Sequence, residues 1–426
     1  MKIIGDFHIH GPHAMACSKQ TTIQKLADNA KLKGLDVLGT GDALHPKWFQ
    51  SITSELTEDG NGILWTKDKF PFIWQTEISL MYTQDGKGRR IHHVILMPNK
   101  EVVIQVIDSF LKKGRLDYNG RPIFGFSSIE LVDMLRSISD QIEIIPAHAL
   151  TPFFGIFGSK TGFDSIEQCF KEKSKYIHAV ETGLSADPPM LNRVSNFDKL
   201  NLVSFSDPHS YHSHRLGREA TIFDLKNLSY KTILEAIRTG EGIAGTIEVD
   251  PNYGKYHFDG HRNCGISFSP EESKKYNNIC PKCRQELTIG VLSRIETLAD
   301  RPENHIKKDA KKFYSFVPLA DLISLILKKG VNTKTVLNEY HSLISKFNTE
   351  FNILMDVNFE DLKKVTHEKI AEAVINIRNG KVKYVAGFDG NYGIPYFNNE
   401  VPKIKEIKKA SKILEETQKG LDSYSH

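Results

Sequence analysis

The chain is predicted to be α/β: a (β/α) barrel of seven strands, then a small cysteine-bearing segment and a mainly helical C-terminal region. Three observations predict this. From Met1 to about Asp250, apolar runs rich in Ile and Val alternate with helical patterns, as in repeated βα units around a parallel sheet. Seven of those runs close on or beside residues able to bind a metal: Asp6-Phe7-His8-Ile9-His10, Thr40-Gly41-Asp42, Thr76-Glu77, Ile91-His92-His93, Pro146-Ala147-His148, Val180-Glu181 and Ser206-Asp207-Pro208-His209. After Val249-Asp250-Pro251-Asn252 the composition shifts, with Gly, His and Cys entering together, and from Lys307 the pattern turns helical. The expected divisions are 1–250, 251–300 and 301–426.

The first βα unit can be read residue by residue. Thr21 or Thr22 can cap a helix whose Ile23, Leu26, Ala27 and Ala30 share one face, Gly34 ends it, and Leu35 to Thr40 forms the next strand. The alternation recurs with a helix over Ser127 to Ser139 before a strand at Ile142 to Pro146, and with Phe163 to Lys175 before Tyr176 to Glu181. In a βα barrel the C-terminal ends of the strands converge on one rim, where catalytic groups sit on loops that vary without disturbing the core. Beyond the boundary, Phe316 to Lys328, Thr333 to Phe347 and Phe359 to Ile377 are amphipathic, followed by a Gly-rich aromatic stretch from Ala386 to Tyr396 and a final basic helix.

A chain of 426 residues exceeds what one core usually organises, so one large domain with smaller partners is expected. No apolar run approaches bilayer length and the start MKIIGDF lacks a secretory signal, so the expected protein is soluble, cytoplasmic and not membrane-bound. Five cysteines, three of them between positions 264 and 283, suit metal binding in a reducing compartment better than a disulfide framework, with Cys17 and Cys169 left as free thiols. From Arg301 onward 21 Lys and Arg face 16 Asp and Glu, so the basic excess lies in the tail.

His8 and His10 alternate along a strand, so both imidazoles point to one side and can chelate one ion. Glu77 could bridge two ions through its two oxygens, His93 and His148 offer further nitrogens, and Asp207 with His209 repeats the alternating pair. His92 points to the opposite face from His93 and reads as a packed or solvated histidine. Asp42 or His45 is the ligand after the second strand, and Glu181 is either a ligand or a partner orienting a histidine. Imidazole and carboxylate together suit Zn²⁺, Mn²⁺ or Fe²⁺ rather than Ca²⁺. Several ions held close together activate water and neutralise charge on a phosphoryl group, so the cluster predicts phosphoester hydrolysis.

Cys280-Pro-Lys-Cys283 and His261-Arg-Asn-Cys264 have the spacing of a zinc ribbon, a closed structural Zn²⁺ site that replaces a core too small to form. His257 competes with His261 as the fourth ligand.

The order of these motifs resembles the polymerase and histidinol phosphatase (PHP) superfamily, at Asp6, His8 and His10, then Glu77, His93 and His148, then Ser206, Asp207 and His209. The resemblance implies a distorted seven-stranded barrel with a trinuclear metal site. This chain departs from it at Asp42-Ala43-Leu44-His45, and near Ala16 and Cys17, where His13 is an imperfect substitute for the expected ligand. With Leu38 to Trp48, Lys255 to Cys264 and Cys280 to Cys283 added, the chain resembles the endonuclease Q family. That resemblance implies a DNA repair nuclease of archaea and some bacteria, cutting on the 5′ side of uracil, hypoxanthine, xanthine and abasic sites. It implies His8, His10, Glu77, His148 and Asp207 as catalytic residues, Zn²⁺ with Mg²⁺ or Mn²⁺ for activity, and damaged DNA as partner.

Arg215 and Arg218 are placed for phosphate contact, and two aromatic loops, Pro152 to Gly158 with Phe154 and Phe388 to Tyr396 with Tyr392, are candidates for a base pocket. Gln418, Leu421 and Tyr424 read as a degenerate sliding-clamp peptide. The competing readings are a small-molecule phosphatase of histidinol-phosphatase type and a DNA-binding scaffold with a degenerate metal site. The zinc segment and basic tail favour DNA over a small ester.

Overall fold

The computed structural model describes residues 1–397. The clamp-like residues Gln418, Leu421 and Tyr424 lie outside them, as does the stretch expected as a final basic helix. Among the described residues no helix is long and apolar enough to cross a membrane.

The fold is mixed α/β, with helices packed around a central sheet that has eleven strands among the described residues. Local signals set its first unit. The Thr22 side chain accepts from Lys25 N, helix Ile23–Lys33 buries Ile23, Leu26, Ala27 and Ala30, and Gly34 closes it at φ 98°. Ser127 and Glu130 form a reciprocal capping box at the start of Ser128–Ile138. The helix expected over 163–175 is shorter: Ile166–Phe170 stops where Lys171 takes φ 50°, and a 3-10 turn follows. The region expected as Phe359 to Ile377 is two helices, Phe359–Lys363 and Glu368–Arg378.

Strand Lys2–Asp6 pairs in parallel with Val37–Gly39, which pairs in parallel with Pro71–Gln84. The expectation of an all-parallel sheet fails at the next step. Lys87–Met97 runs antiparallel to Pro71–Gln84 and to Glu143–Pro146, and Ala220–Asp224 runs antiparallel to Lys2–Asp6. The reason is the turn Asp85-Gly86, both residues at positive φ (53° and 73°), which is the two-residue hairpin geometry that Asp-Gly favours. Farther round, Ala179–Glu181 pairs in parallel with Asn201–Val203. Single main-chain bonds, Ala149 N to Glu181 O (3.0 Å) and Asp207 N to His8 O (2.9 Å), draw the strand ends together.

The C-terminal helices are tied to this sheet by buried charge. Lys33 Nζ lies 2.7 Å from Glu350 Oε1, both side chains almost wholly buried, and Glu350 also accepts from Leu319 N and Tyr340 Oη. Arg215 pairs with Asp321 (3.0 Å), which Tyr253 Oη also reaches at 2.7 Å. Strand Lys312–Ser315 adds to the sheet beside Ile243–Glu248. Breaking a buried pair strands its partner, so Glu350→Ala should cost about 3–5 kcal/mol, read as a lower urea midpoint, whereas Lys33→Met with Glu350→Gln, which keeps an acceptor for Leu319 N and Tyr340 Oη, should recover most of that loss.

Candidate metal centre

His8 and His10 extend beyond the first strand and are buried. His8 Nδ1 is 3.0 Å from both oxygens of Glu181, and Glu181 Oε2 also accepts from His148 N at 2.6 Å. His10 Nδ1 is 3.0 Å from Asp42 Oδ1, while Asp42 Oδ2 accepts from Gly11 N at 2.7 Å. Each imidazole thus gives its Nδ1–H to a buried carboxylate and turns Nε2 inward. There His10 Nε2 is 3.1 Å from Asp207 Oδ1 and 3.3 Å from Glu77 Oε2, and His8 Nε2 is 3.6 Å from each of the same two atoms. His8, His10 and Asp207 bring ligand atoms within 4.8 Å of one another.

Glu77 faces a second group with its other oxygen. Oε1 is 2.8 Å from His92 Nδ1 and 3.4 Å from His148 Nε2, and Glu77, His92 and His148 also meet within 4.8 Å. Thr151 Oγ1 holds His148 Nδ1 at 2.7 Å. Arg121, from the loop before strand Ile123–Phe124, donates to Glu77 Oε2 at 2.7 Å.

The electrostatics follow from this crowding. Burial alone would neutralise Glu77, but Arg121, His92 and His8 outweigh it and hold the carboxyl well below the usual range. Asp207 is likewise held low, His8 and His10 outweighing burial. Asp42, His148 and Asp207 all sit at positive φ (41°, 30° and 42°), a strained backbone common where side chains must be aimed. His8 Nε2 and His92 Nε2 are buried without a hydrogen-bond partner, and the close approach of His92 Nδ1 to Glu77 Oε1 lacks hydrogen-bond geometry. Buried polar atoms rarely go unsatisfied, and a donor set of imidazole nitrogens and carboxylate oxygens fits divalent ions on either side of Glu77.

Several expectations change. His93 is not in the site: its Nε2 is 3.0 Å from Ser128 Oγ and its ring packs on Phe170. In the hairpin Ser79 lies opposite His92 and Ile78 opposite His93, so His92 shares the face of Glu77. Asp42 stands behind His10 as a support rather than in either group, and Glu181 does the same for His8. His45 stacks on His13 at 4.2 Å, outside both groups. His209 lies beside His10, rings 4.7 Å apart, with Nδ1 3.8 Å from Asp207. Phe154 stacks on His92 (4.2 Å) and accepts from its main-chain N–H, so it buttresses a site histidine.

A cavity of about 300 Å³ adjoins the centre, lined by His148, Glu181 and Asp207 of the centre together with Arg215, Arg218, Lys255, Tyr256 and Tyr392. Arg218 donates to Ser206 O and to Tyr392 Oη, and Lys255 Nζ stands 4.7 Å above the Tyr392 ring. Burial would raise the Tyr392 phenol, but Arg218, Lys255 and Arg215 bring it down to about 7. Arg215 and Arg218 are thus buried cavity residues rather than surface charges.

Elsewhere, His261, Cys264, Cys280 and Cys283 form a third group within 4.8 Å. His257 is turned away, Nδ1 3.4 Å from Ser185 O, which leaves His261 as the fourth member. Against burial, main-chain N–H groups of Cys283 and Lys282 hold the Cys280 thiol down to about 6.

The chain aligns with the crystal structure of the lesion-specific endonuclease PfuEndoQ from Pyrococcus furiosus at 30% identity and a TM-score of 0.83, over 96% of this chain and 99% of that one. The chain belongs to the endonuclease Q family. A second endonuclease Q structure, in complex with a 27-mer duplex carrying an abasic lesion at the active site, aligns at 30% identity and a TM-score of 0.84, over 96% of this chain and 100% of that one. Uncharacterized protein MJ0043 of Methanocaldococcus jannaschii is 37% identical over 251 residues, which is 58% of this chain but only 31% of that longer protein. Residues 318–381 match the family model of the MJ0043 C-terminal domain. In this endonuclease Q family member the exchange of His93 for His92 is directly testable. His92→Ala should weaken Mn²⁺ binding in equilibrium dialysis by about 10–100-fold or more and Asp42→Asn by about 10–100-fold, while His93→Ala leaves it within about twofold.

Proposed function

We propose that the protein is a DNA repair endonuclease that hydrolyses the phosphodiester on the 5′ side of deaminated bases and abasic sites, with divalent ions on both sides of Glu77. The observation that carries this reading is the pair of histidine–carboxylate groups sharing Glu77, in a chain that aligns end to end with a lesion-specific endonuclease. The abasic lesion at the active site of the related complex supports the substrate class.

His8, His10 and Asp207 would hold one ion and His92 and His148 the other, with Glu77 common to both. Bound there, the ions would lower the pKa of a water and offset the charge growing on the phosphoryl group during in-line displacement. Asp42, Glu181 and Thr151 keep the imidazoles aimed. Extruding a base costs least at a damaged or unpaired position, and the cavity walled by Tyr256 and Tyr392 is where an extruded nucleotide would be read. Arg215, Arg218 and Lys255 give that cavity the positive potential a nucleotide requires. The division of labour we infer gives cutting to a PHP-type barrel over 1–250 and DNA grip to the zinc segment 251–300 and the basic region 301–426. Zn²⁺ fits the cysteine group, and Mg²⁺ or Mn²⁺ would serve in the reaction.

The test is incubation with Mg²⁺ or Mn²⁺ and end-labelled duplexes carrying uracil, hypoxanthine or an abasic site, with the cut mapped to the nucleotide. Cleavage one bond 5′ of the lesion, leaving a 3′ hydroxyl, is the expected result. Asp207→Ala should abolish cutting while the variant still retards the duplex in a gel. Turnover of histidinol phosphate with intact duplexes would overturn the reading.

A further inference from the structure

Arg121 is the cation of this site whose partner is itself an expected metal ligand. Arg215 is paired with Asp321 and Arg218 is held by Ser206 O and the Tyr392 hydroxyl, so both have permanent work in the fold. Arg121 donates instead to Glu77 Oε2, the same oxygen that His10 and His8 approach at 3.3 and 3.6 Å. An ion held by His8, His10 and Asp207 would claim that oxygen and repel the guanidinium, which cannot give up its charge. A cation kept beside a cation site is costly unless an anion arrives between them.

The chain holds Arg121 in place from both sides. Gly120, at φ 32°, passes so close to the site that a Cβ there would come within 2.8 Å of Ala14 Cα. On the other side Pro122 O accepts from Ser79 N at 2.9 Å, fixing the loop to the strand that carries Glu77. The side chain itself is 22% exposed, so Arg121 keeps contact with solvent while its partner Glu77 has none. The cavity beyond His148 and Asp207 is lined by other residues, which leaves Arg121 on a flank of the two groups that the cavity does not occupy.

We propose that Arg121 is a catalytic residue, which leaves Glu77 when ions bind and donates to a non-bridging oxygen of the scissile phosphate. The proposal rests on the phosphodiesterase reading above. The planar fork of Arg suits two phosphoryl oxygens, and its charge would count most as negative charge grows in displacement. No proton moves: Arg121 exchanges a carboxylate oxygen for a phosphoryl oxygen.

A positioning role for Arg121 and a catalytic one predict different signs. If Arg121 only shapes Glu77, Arg121→Ala weakens Mn²⁺ binding. If it waits for phosphate, the variant binds Mn²⁺ as tightly as the native protein or tighter, while kcat falls by about 10²–10³-fold and KM changes far less. Both quantities are measured on the full chain, Mn²⁺ affinity by equilibrium dialysis and turnover on an abasic duplex and on bis(p-nitrophenyl) phosphate. Arg121→Lys should recover part of kcat, because it restores the charge without the fork. Weakened Mn²⁺ binding, or undiminished kcat, overturns the proposal. Native turnover of the small diester with no cut in lesion DNA would overturn the lesion reading alone, and Arg121 would still be judged on the diester.

Discussion

A carboxylate with no access to water has to be held ionised by its neighbours, and in this protein that carboxylate is Glu77. It is fully buried, and the charges of Arg121, His92 and His8 outweigh the burial that would neutralise it. Its two oxygens serve different sides, Oε2 toward His8, His10 and Asp207, Oε1 toward His92 and His148. The two groups are therefore one centre. The connection depends on hairpin register, because a slip of one residue between Pro71–Gln84 and Lys87–Met97 would turn His92 out and His93 in.

Around Glu77 the chain uses one device repeatedly. Glu181 behind His8, Asp42 behind His10 and Thr151 behind His148 each occupy Nδ1 and leave Nε2 directed inward. Glu181 also takes the main-chain N–H of His148, so one side chain aligns members of both groups. The backbone bears the cost at Asp42, His148 and Asp207, whose positive φ angles persist because hydrogen bonds on several sides hold them.

The residues after Asp250 complete the cavity beside the site as well as extending the chain. That cavity takes Tyr256 from just past strand Ile243–Glu248 and Tyr392 from near the end of the described residues. Tyr392 reaches it because the main chain around 387–393 bonds to 252–255, and because Arg215–Asp321 and Lys33–Glu350 seat the helices on the sheet. Positive charge and aromatic surface thus come together from segments more than a hundred residues apart.

What could be read without coordinates was local. The cap at Thr22 and the stop at Gly34 are short-range chemistry, and the structure has them, as it has the helix that begins after Ser127. His8 and His10 share a side because they are two residues apart, and the three cysteines meet His261 because their spacings allow one small ring of ligands. Asp85-Gly86 was legible too, as a hairpin signal; reading it would have turned the strand and placed His92 in the site. Arg121 left no trace, since a loop arginine has no periodicity to betray its partner. The sequence by itself determined which ligand types are present and how they are spaced, because those depend on neighbours along the chain. Which face each histidine presents, which carboxylate supports it and which arginine reaches Glu77 were decided only by tertiary structure, because burial and strand register bring together residues that the chain keeps far apart.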